Sequence, residues 1–274
     1  MSEVTPTRSP SRNWLDTNAH FSAAGPWMGR VGSDAGIEAL RRSMQAGGVA
    51  SAVLVGLDTV NTADEVLDAA RRHEEFVPVV GFDPSWSETE AGLEEKLKGL
   101  RSRGCRGVKV HCRLSRIHPM DARVLDLLTA CGSIGIPVLF CSHLHGLDPV
   151  APGITEVVER YAVVAPGTTL LIMHGGMSRL LDLFELARQF DNVHLDLSFT
   201  MNRYAGSSVD SDLRFVLENL DRKVTLGSDF PEYDHMATRT RFDALSEGIA
   251  AEKIENVLWN TARRIFGVES PSRG

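Results

Sequence analysis

Short apolar runs rich in β-branched residues alternate along the chain with longer segments of helical periodicity. Each apolar run has the length of one strand, and the segments between them repeat apolar residues every three or four positions, as amphipathic helices do. This alternation is typical of βαβ units, which build a parallel sheet. The predicted strands are residues 14–19, 51–58, 76–82, 107–112, 136–143, 168–174, 192–198 and 223–229.

The segments between and after these strands predict helices at about 34–47, 62–75, 87–103, 121–134, 154–165, 178–190, 209–221, 235–248 and 251–266. Eight strand–helix units predict a single (β/α)8 TIM barrel, in which catalytic groups lie at the carboxyl ends of the strands. An open doubly wound sheet is the alternative fold, but no GxGxxG motif follows an early strand.

The first thirteen residues differ from the rest of the chain. They are rich in Ser, Thr, Pro and Arg and lack the apolar segment of a secretory signal. We therefore expect a flexible N-terminal tail at 1–13, followed by one barrel domain at 14–274. No apolar run approaches the roughly 20 residues that span a bilayer, so a membrane partner is not expected.

Composition narrows the class of partner. A formal net charge of −7 and a pI near 5.7 argue against nucleic-acid binding, which needs clustered Lys and Arg. Hydrophobic residues at 43% predict a packed core. The expected partner is a small-molecule substrate, and a homodimer is left open. The chain has no CxxC pair, which predicts a reducing, cytoplasmic location without disulfides for Cys105, Cys112, Cys131 and Cys141.

Side chains able to carry chemistry collect at the predicted strand ends. Because side chains alternate along a strand, Asn18 is expected to share a face with His20, Lys109 with His111, and Cys141 with His143. Asp16 precedes Asn18 by two residues. His and Asp gathered at one barrel mouth can bind a divalent metal, which lowers the pKa of bound water to about 7. The other strand-end residues are Asp83, Lys109, His111, Cys141, His143, His145, His174, Asp196, Ser198 and Asp229.

Several motifs, in this order, resemble the amidohydrolase superfamily, and within it the amidohydrolase-2 group that includes aminocarboxymuconate semialdehyde decarboxylase. The resemblance extends from residue 14 to about 267, and the order and spacing of the motifs make it specific. The motifs are LDTNAH, RGVKVHCRLSRIHPMD, GIPVLFCSH, LLIMHGG, NVHLDLS, TLGSDFP and NVLWNTARRIFG.

In that family the first strand carries His-x-His as two metal ligands, and the fifth strand carries a third His. The sixth-strand His contacts the substrate or water, and the eighth-strand Asp binds metal or acts as acid and base. His20 matches the second His, His174 the sixth-strand His, and Asp229 the eighth-strand Asp. The resemblance implies one divalent ion, zinc by expectation, held by His20, Asp229 and either Cys141 or His143.

Two positions depart from the family pattern. Asn18 stands where the first His is expected, and Cys141 stands where the fifth-strand His falls. A thiolate binds zinc well, whereas an amide oxygen suits harder cations. His143 lies one pleat beyond Cys141 and could replace it if the strand end is bulged. Alternatively, Cys141 is a small buried apolar residue, and Asn18 makes hydrogen bonds to substrate or a neighbour.

Lys109 matches a lysine that is common at the fourth strand of the family, and His111 follows it by two residues. Both are candidate catalytic residues, with Lys109 neutralising a substrate carboxylate. The alternative for Lys109 is a salt bridge inside the barrel to Asp16 or Asp229. Arginines in loops after strands can clamp a substrate carboxylate with paired hydrogen bonds. The candidates for this role are Arg113, Arg179 and Arg203.

Three functions follow from these residues. The first is a metal-dependent hydrolase or decarboxylase, that is, a carbon–carbon lyase, acting on a small carboxylate-bearing substrate. The second is a metal-free hydrolase with Asp229 as general base, for which the resemblance offers a precedent in the pyrone dicarboxylate lactonases. The third is a non-catalytic barrel that binds a small ligand.

Overall fold

The computed structural model describes residues 14–30, 32–88, 92–144 and 152–269. Its strands pair in chain order, each parallel to the next, as the sequence pattern predicts. The predicted tail at 1–13 and the end of the predicted domain, 270–274, lie outside the described residues. The strands are β1 (Leu15–Ala19), β2 (Ser51–Val55), β3 (Phe76–Gly81), β4 (Gly107–Val110), β5 (Val138–Cys141), β6 (Leu170–Met173), β7 (Val193–Asp196) and β8 (Val224–Thr225).

Backbone hydrogen bonds between β1 and the chain that continues β8 close the sheet. Thr17 N donates to Leu226 O at 3.3 Å, and His20 N donates to Phe230 O at 2.9 Å. Each strand is followed by helical structure before the next strand begins. The predicted (β/α)8 barrel is therefore confirmed.

The helices of the described residues are α1 (Ile37–Gly47), α2 (Ala63–Arg72), α3 (Gly92–Ser102), α4 (Cys112–Ser115), α5 (Ala122–Ile134), α6 (Ile154–Val164), α7 (Leu180–Gln189), α8 (Thr200–Arg203), α9 (Val209–Asn219), α10 (His235–Leu245), α11 (Ala251–Glu255) and α12 (Thr261–Phe266). Local sequence explains where several begin. A capping box starts α2, since Thr62 and Glu65 each bond the other's backbone N–H. Among the described residues, no helix is long and apolar enough to cross a membrane.

Apolar side chains pack in two layers, one inside the barrel and one between the barrel and its helices. Val53 and Val55 of β2 belong to the inner layer, whereas Ala52 and Leu54 pack with the outer one, as strand alternation requires. Phe266 of α12 joins the inner layer. These apolar residues fill one end of the barrel and leave the carboxyl ends of the strands to polar groups.

A β-bulge in β1 decides which polar side chains enter the barrel. The register between β1 and β2 shifts between Asp16 and Ala19, so β1 holds one extra residue there. Asp16 consequently accepts a hydrogen bond from Ser228, whereas Asn18 donates to Asp229. Asp16 and Asn18 therefore contact different groups although they are two residues apart in β1.

The eight strands are all shorter than the sequence pattern predicts. β4 ends at Val110 rather than at 112, because His111 caps α4 by accepting from Leu114 N at 3.3 Å. β5 covers Val138–Cys141 rather than 136–143, and β8 covers Val224–Thr225 rather than 223–229. The apolar runs continue past the paired residues because the segments that follow the strands are also buried.

Candidate active site

The barrel mouth brings together five of the predicted side chains. His20, Lys109, Cys141, His174 and Asp229 are each at most 8% exposed. Lys109 and Cys141 lie in β4 and β5, whereas His20, His174 and Asp229 follow β1, β6 and β8. Buried polar groups are costly unless they are paired, so such a cluster indicates a functional site rather than ordinary core.

Asp229 lies among the histidines and the lysine of this cluster. Its Oδ1 accepts a hydrogen bond from Asn18 Nδ2 at 2.6 Å and lies 3.6 Å from His20 Nε2. Burial alone would raise the pKa of Asp229, but His174, His20 and Lys109 outweigh it and lower this pKa to about 2. The carboxylate is therefore ionised at neutral pH.

His20 is held by contacts on two sides of its ring. Its Nδ1 lies 2.7 Å from the carbonyl oxygen of Val55, which can only accept, so Nδ1 carries the hydrogen. Trp27 stacks on the ring with a centroid distance of 5.3 Å. In the neutral ring, Nε2 is therefore the free nitrogen, and it faces Asp229.

The Cys141 thiol is in hydrogen-bonding contact with His174. Burial raises the pKa of this thiol, but the hydrogen bond and charge of His174 and the charge of Lys109 together lower it by more. The pKa therefore lies below the ordinary value of 9.0. By contrast, burial raises the pKa of Cys112 to about 12. The alternative of an inert apolar Cys141 does not fit these surroundings, whereas it fits Cys112.

Lys109 and His111 extend from β4 towards the same cluster. Burial lowers the pKa of Lys109, against the opposing attraction of Cys141 and Asp229. Within the described residues Lys109 makes no ion pair at contact distance, so the alternative of a salt bridge to Asp16 or Asp229 is not borne out. Burial, with Lys109 and Arg113 nearby, lowers the pKa of His111 to about 3. His111 is thus neutral, and because its Nδ1 accepts from Leu114, its Nε2 carries a hydrogen to donate.

Two residues on β7 and just beyond it complete the polar cluster. The Ser198 hydroxyl donates a hydrogen bond to Asp196 and accepts one from Asn18 Nδ2 at 3.0 Å. It also lies 3.1 Å from His174 Nδ1. Burial raises the pKa of Asp196 to about 6, against the hydrogen bonds that Ser198 and Thr17 donate. The sequence placed Asp196 and Ser198 at a strand end two residues apart but predicted no role for them.

Three residues that follow strands at the barrel mouth have left-handed backbone conformations. His174, Phe199 and Asp229 have φ angles of 64°, 61° and 64°. Residues other than glycine rarely adopt this conformation, which costs about 1–3 kcal/mol each and is often retained at functional sites. The strain therefore falls on the segments that orient the candidate catalytic groups.

Aromatic side chains form one wall of the mouth. The Phe199 ring lies 5.5 Å from the His174 ring, 5.8 Å from Tyr233 and 6.5 Å from His143, measured between centroids. Burial raises the pKa of Tyr233, and Arg203 lies close enough to oppose this shift electrostatically. His143 is therefore at the wall of the site, and Arg203 is near its rim.

The other predicted arginines lie further out. Arg113 and Arg179 are exposed, and Arg179, which precedes α7, pairs with Asp182 of that helix at 3.3 Å. Exposed ion pairs of this type contribute little and are readily exchanged. Arg203 is exposed as well, and the role of the three arginines in binding a carboxylate stays a prediction.

The predicted metal ligands do not form one set. His20 Nε2 and Asp229 Oδ1 have the spacing of two ligands of one ion, which is about 3.4 Å for bonds of about 2.1 Å. Cys141, however, contacts His174, and His143 lies beside Phe199. Among the described residues no group of three or more His, Cys, Asp or Glu could hold a metal ion. The donor set therefore does not fit the predicted zinc site.

Several solved structures share this fold. An uncharacterised TIM-barrel protein from Bordetella bronchiseptica is 18% identical with a TM-score of 0.74, and the match covers 93% of this chain and 98% of that one. A 5-carboxyvanillate decarboxylase from Sphingomonas paucimobilis is 14% identical with a TM-score of 0.66, over 94% and 100% of the chains. A probable 2-pyrone-4,6-dicarboxylic acid hydrolase from Acinetobacter baumannii is 14% identical with a TM-score of 0.67, and the match covers 93% of this chain and 100% of that one. Identities this low show the fold alone.

The family is shown by the sequence itself. No curated protein matches the chain. The amidohydrolase family model, however, matches residues 16–268, which include every predicted site residue and nearly all of the barrel. This match confirms the resemblance seen in the strand-end motifs, and the chain belongs to the amidohydrolase family, in its amidohydrolase-2 group.

Proposed function

We propose that this protein is a hydrolase that opens an ester or lactone bond in a small carboxylate-bearing substrate, with Asp229 as general base towards water and no metal ion. The observation that supports it most is the setting of Asp229. Its ionised carboxylate is buried at the barrel mouth beside Asn18 and His20, and no third metal-ligating side chain joins the pair among the described residues.

The reaction needs a proton acceptor and donors for the developing negative charge. Water adds to the carbonyl carbon and gives a proton to Asp229, and this proton is then available to the leaving oxygen. Binding an anionic substrate beside Asp229 raises the pKa of this carboxylate from about 2 towards the range of an effective base. Lys109 and the Nε2 hydrogen of His111 are the donors for the carbonyl oxygen or the substrate carboxylate.

The substrate class rests on both the site and the similar structures. Asn18 Oδ1 is buried and has no hydrogen-bond partner among the described residues, so it can accept from a substrate hydroxyl or a water. The neighbours named for an activity are named for carboxylates: a carboxyvanillate, a pyrone dicarboxylic acid and a dihydroxybenzoate. The pyrone dicarboxylic acid hydrolase structure has citric acid bound. A carboxylate-bearing lactone combines these features.

Metal-assisted hydrolysis or decarboxylation is the second candidate. It is favoured by the 3.6 Å separation of His20 Nε2 and Asp229 Oδ1 and by the Nδ1 contact of His20 with the Val55 carbonyl, which frees Nε2. Metal-bound histidines commonly donate their other nitrogen to a backbone carbonyl in this way. An ion bound there would lower the pKa of a bound water, and zinc is the ion that the sequence predicts.

Metal analysis separates the two candidates. We expect protein purified without added metal to contain less than about a tenth of an equivalent of any divalent ion, and its activity to survive a chelator. The measurement is elemental analysis, with activity assayed before and after chelation on a panel of lactones, aryl carboxylates and amides. One equivalent of tightly held metal, with activity lost to the chelator and restored by zinc or manganese, would instead establish the metal-assisted reaction. Tight ligand binding without conversion of any compound would identify a non-catalytic barrel.

A further inference from the structure

The Ser198 hydroxyl is shared by three side chains of the site. It donates to Asp196 Oδ1, accepts from Asn18 Nδ2 at 3.0 Å, and lies 3.1 Å from His174 Nδ1. Ser198, Asp196 and Asn18 are each 0% exposed. Solvent therefore does not compete for these contacts, and the network has to satisfy its own donors and acceptors.

The hydrogen of the Ser198 hydroxyl is committed to Asp196. A serine hydroxyl has one hydrogen and two acceptor lone pairs. The Asp196 carboxylate receives that hydrogen and also accepts from Thr17 at 2.5 Å and from Thr225 at 3.2 Å. The Ser198 N–H donates to the same carboxylate at 3.0 Å. The remaining lone pairs of Ser198 Oγ can then only accept.

This arrangement determines which nitrogen of His174 carries a hydrogen. Nδ1 of His174 faces two oxygens of Ser198, the hydroxyl at 3.1 Å and the backbone carbonyl at 3.3 Å. A carbonyl oxygen has no hydrogen, and the hydroxyl hydrogen is already donated to Asp196. Both oxygens accept, so Nδ1 must be the donor.

We infer that Ser198 and Asp196 are positioning residues that hold His174 in the tautomer with its hydrogen on Nδ1, leaving Nε2 as a proton acceptor inside the site. Cys141 is in hydrogen-bonding contact with His174, and because Ser198 holds Nδ1, this contact falls on Nε2. His174 also acts electrostatically on Asp229. Nε2 is therefore the nitrogen of His174 that is left to accept a proton, beside Cys141 and Asp229.

Asn18 ties the proposed base to the same hydroxyl. Its Nδ2 donates both to Ser198 Oγ and to Asp229 Oδ1, at 3.0 and 2.6 Å. Ser198 thus orients His174 and Asp229 relative to one another. The tautomer stands on the contacts alone, whereas its importance for turnover rests on the hydrolase function proposed above.

The tautomer can be read from the ring nitrogens of 15N-labelled histidine by NMR, with the His174 signals assigned by their loss in His174→Gln. In the wild-type protein we expect hydrogen on Nδ1 and an unprotonated Nε2. Ser198→Ala removes one of the two acceptors and should shift the population towards the tautomer with hydrogen on Nε2. In the enzyme assay we expect kcat to fall about tenfold to a hundredfold with little change in KM, the range seen when the hydrogen-bond partners of metal-binding histidines are removed.

Thr225→Val is the matched control. It removes a hydroxyl from the same Asp196 carboxylate, but no contact joins Thr225 to His174 among the described residues. The His174 tautomer should stay as in the wild type. Hydrogen on Nε2 in the wild-type protein, or a Ser198→Ala spectrum with an unchanged tautomer, would overturn the inference. If the tautomer shifts as expected but no substrate is converted, the inference stands and the hydrolase proposal fails.

Discussion

Asp229→Asn is expected to lower kcat by on the order of 10³-fold while leaving substrate affinity nearly unchanged. The amide oxygen that this substitution introduces can still accept from Asn18 Nδ2, which lies 2.6 Å from Asp229 Oδ1 in the wild-type protein, so the local hydrogen bond is retained. An amide, however, cannot take a proton from water. The change therefore removes the base and keeps the shape of the site.

The measurement is kcat from steady-state kinetics together with substrate affinity from calorimetry. Asp83→Asn is the control, since it changes another carboxylate that follows a strand and that accepts from Ser85 N in its own loop. We expect little effect from it. Turnover retained in Asp229→Asn would rule out Asp229 as the base, and a loss of affinity equal to the loss of kcat/KM would assign Asp229 to binding instead.

The pH dependence of the wild-type enzyme tests the same carboxylate. The pKa of Asp229 is lowered from 3.8 to about 2, so this group stays ionised throughout neutral and mildly acidic solution. Protonation of Asp229 in the free enzyme should therefore not limit kcat/KM until the pH approaches about 3. The lowered pKa also stabilises the fold above pH 3.8, and this contribution is lost as the pH falls through about 2.

Much of the site could be predicted from the sequence because of one rule, that catalytic groups of a TIM barrel lie at the carboxyl ends of its strands. A parallel barrel collects the carboxyl ends of its strands at one mouth, so His20, Lys109, Cys141 and Asp229 could be placed together from their positions alone. The rule fails where the backbone departs from regular alternation. The bulge in β1 separates Asp16 from Asn18, and nothing in the letters LDTNAH marks the extra residue.

The roles of individual side chains were harder to predict, because they depend on contacts between residues of different strands. Asp196 and Ser198 have the two-residue spacing of inward-facing positions, but the importance of Ser198 comes from His174, which follows a different strand. The same holds for Cys141, which occupies an expected metal-ligand position and contacts a histidine instead. Arginine placement depends on loop geometry, and Arg113 proved to be exposed.

Asp16→Ala is expected to destabilise the fold by about 3–5 kcal/mol, because it leaves buried donors without an acceptor where the barrel closes. The Asp16 side chain is fully buried and accepts from Ser228 N at 2.8 Å, Ser228 Oγ at 2.5 Å and Asn18 N at 2.9 Å. It also lies 2.8 Å from His235 Nε2, at the start of α10. Asp16 thus joins β1 to the segment that carries Asp229.

Denaturant unfolding of Asp16→Ala and of Asp182→Ala gives the comparison. Asp182 also pairs with a basic side chain, but its ion pair with Arg179 is exposed, so its loss should cost less than about 1 kcal/mol. Asp229 N donates to Asn18 O at 2.8 Å, so loosening this closure should also lower turnover in the folded protein. If the two variants were equally stable, the polar contacts of Asp16 would not be what closes the barrel. A large loss confined to Asp16→Ala would mean that the buried contacts of Asp16 with Ser228 and His235 stabilise the closure of the barrel next to Asp229.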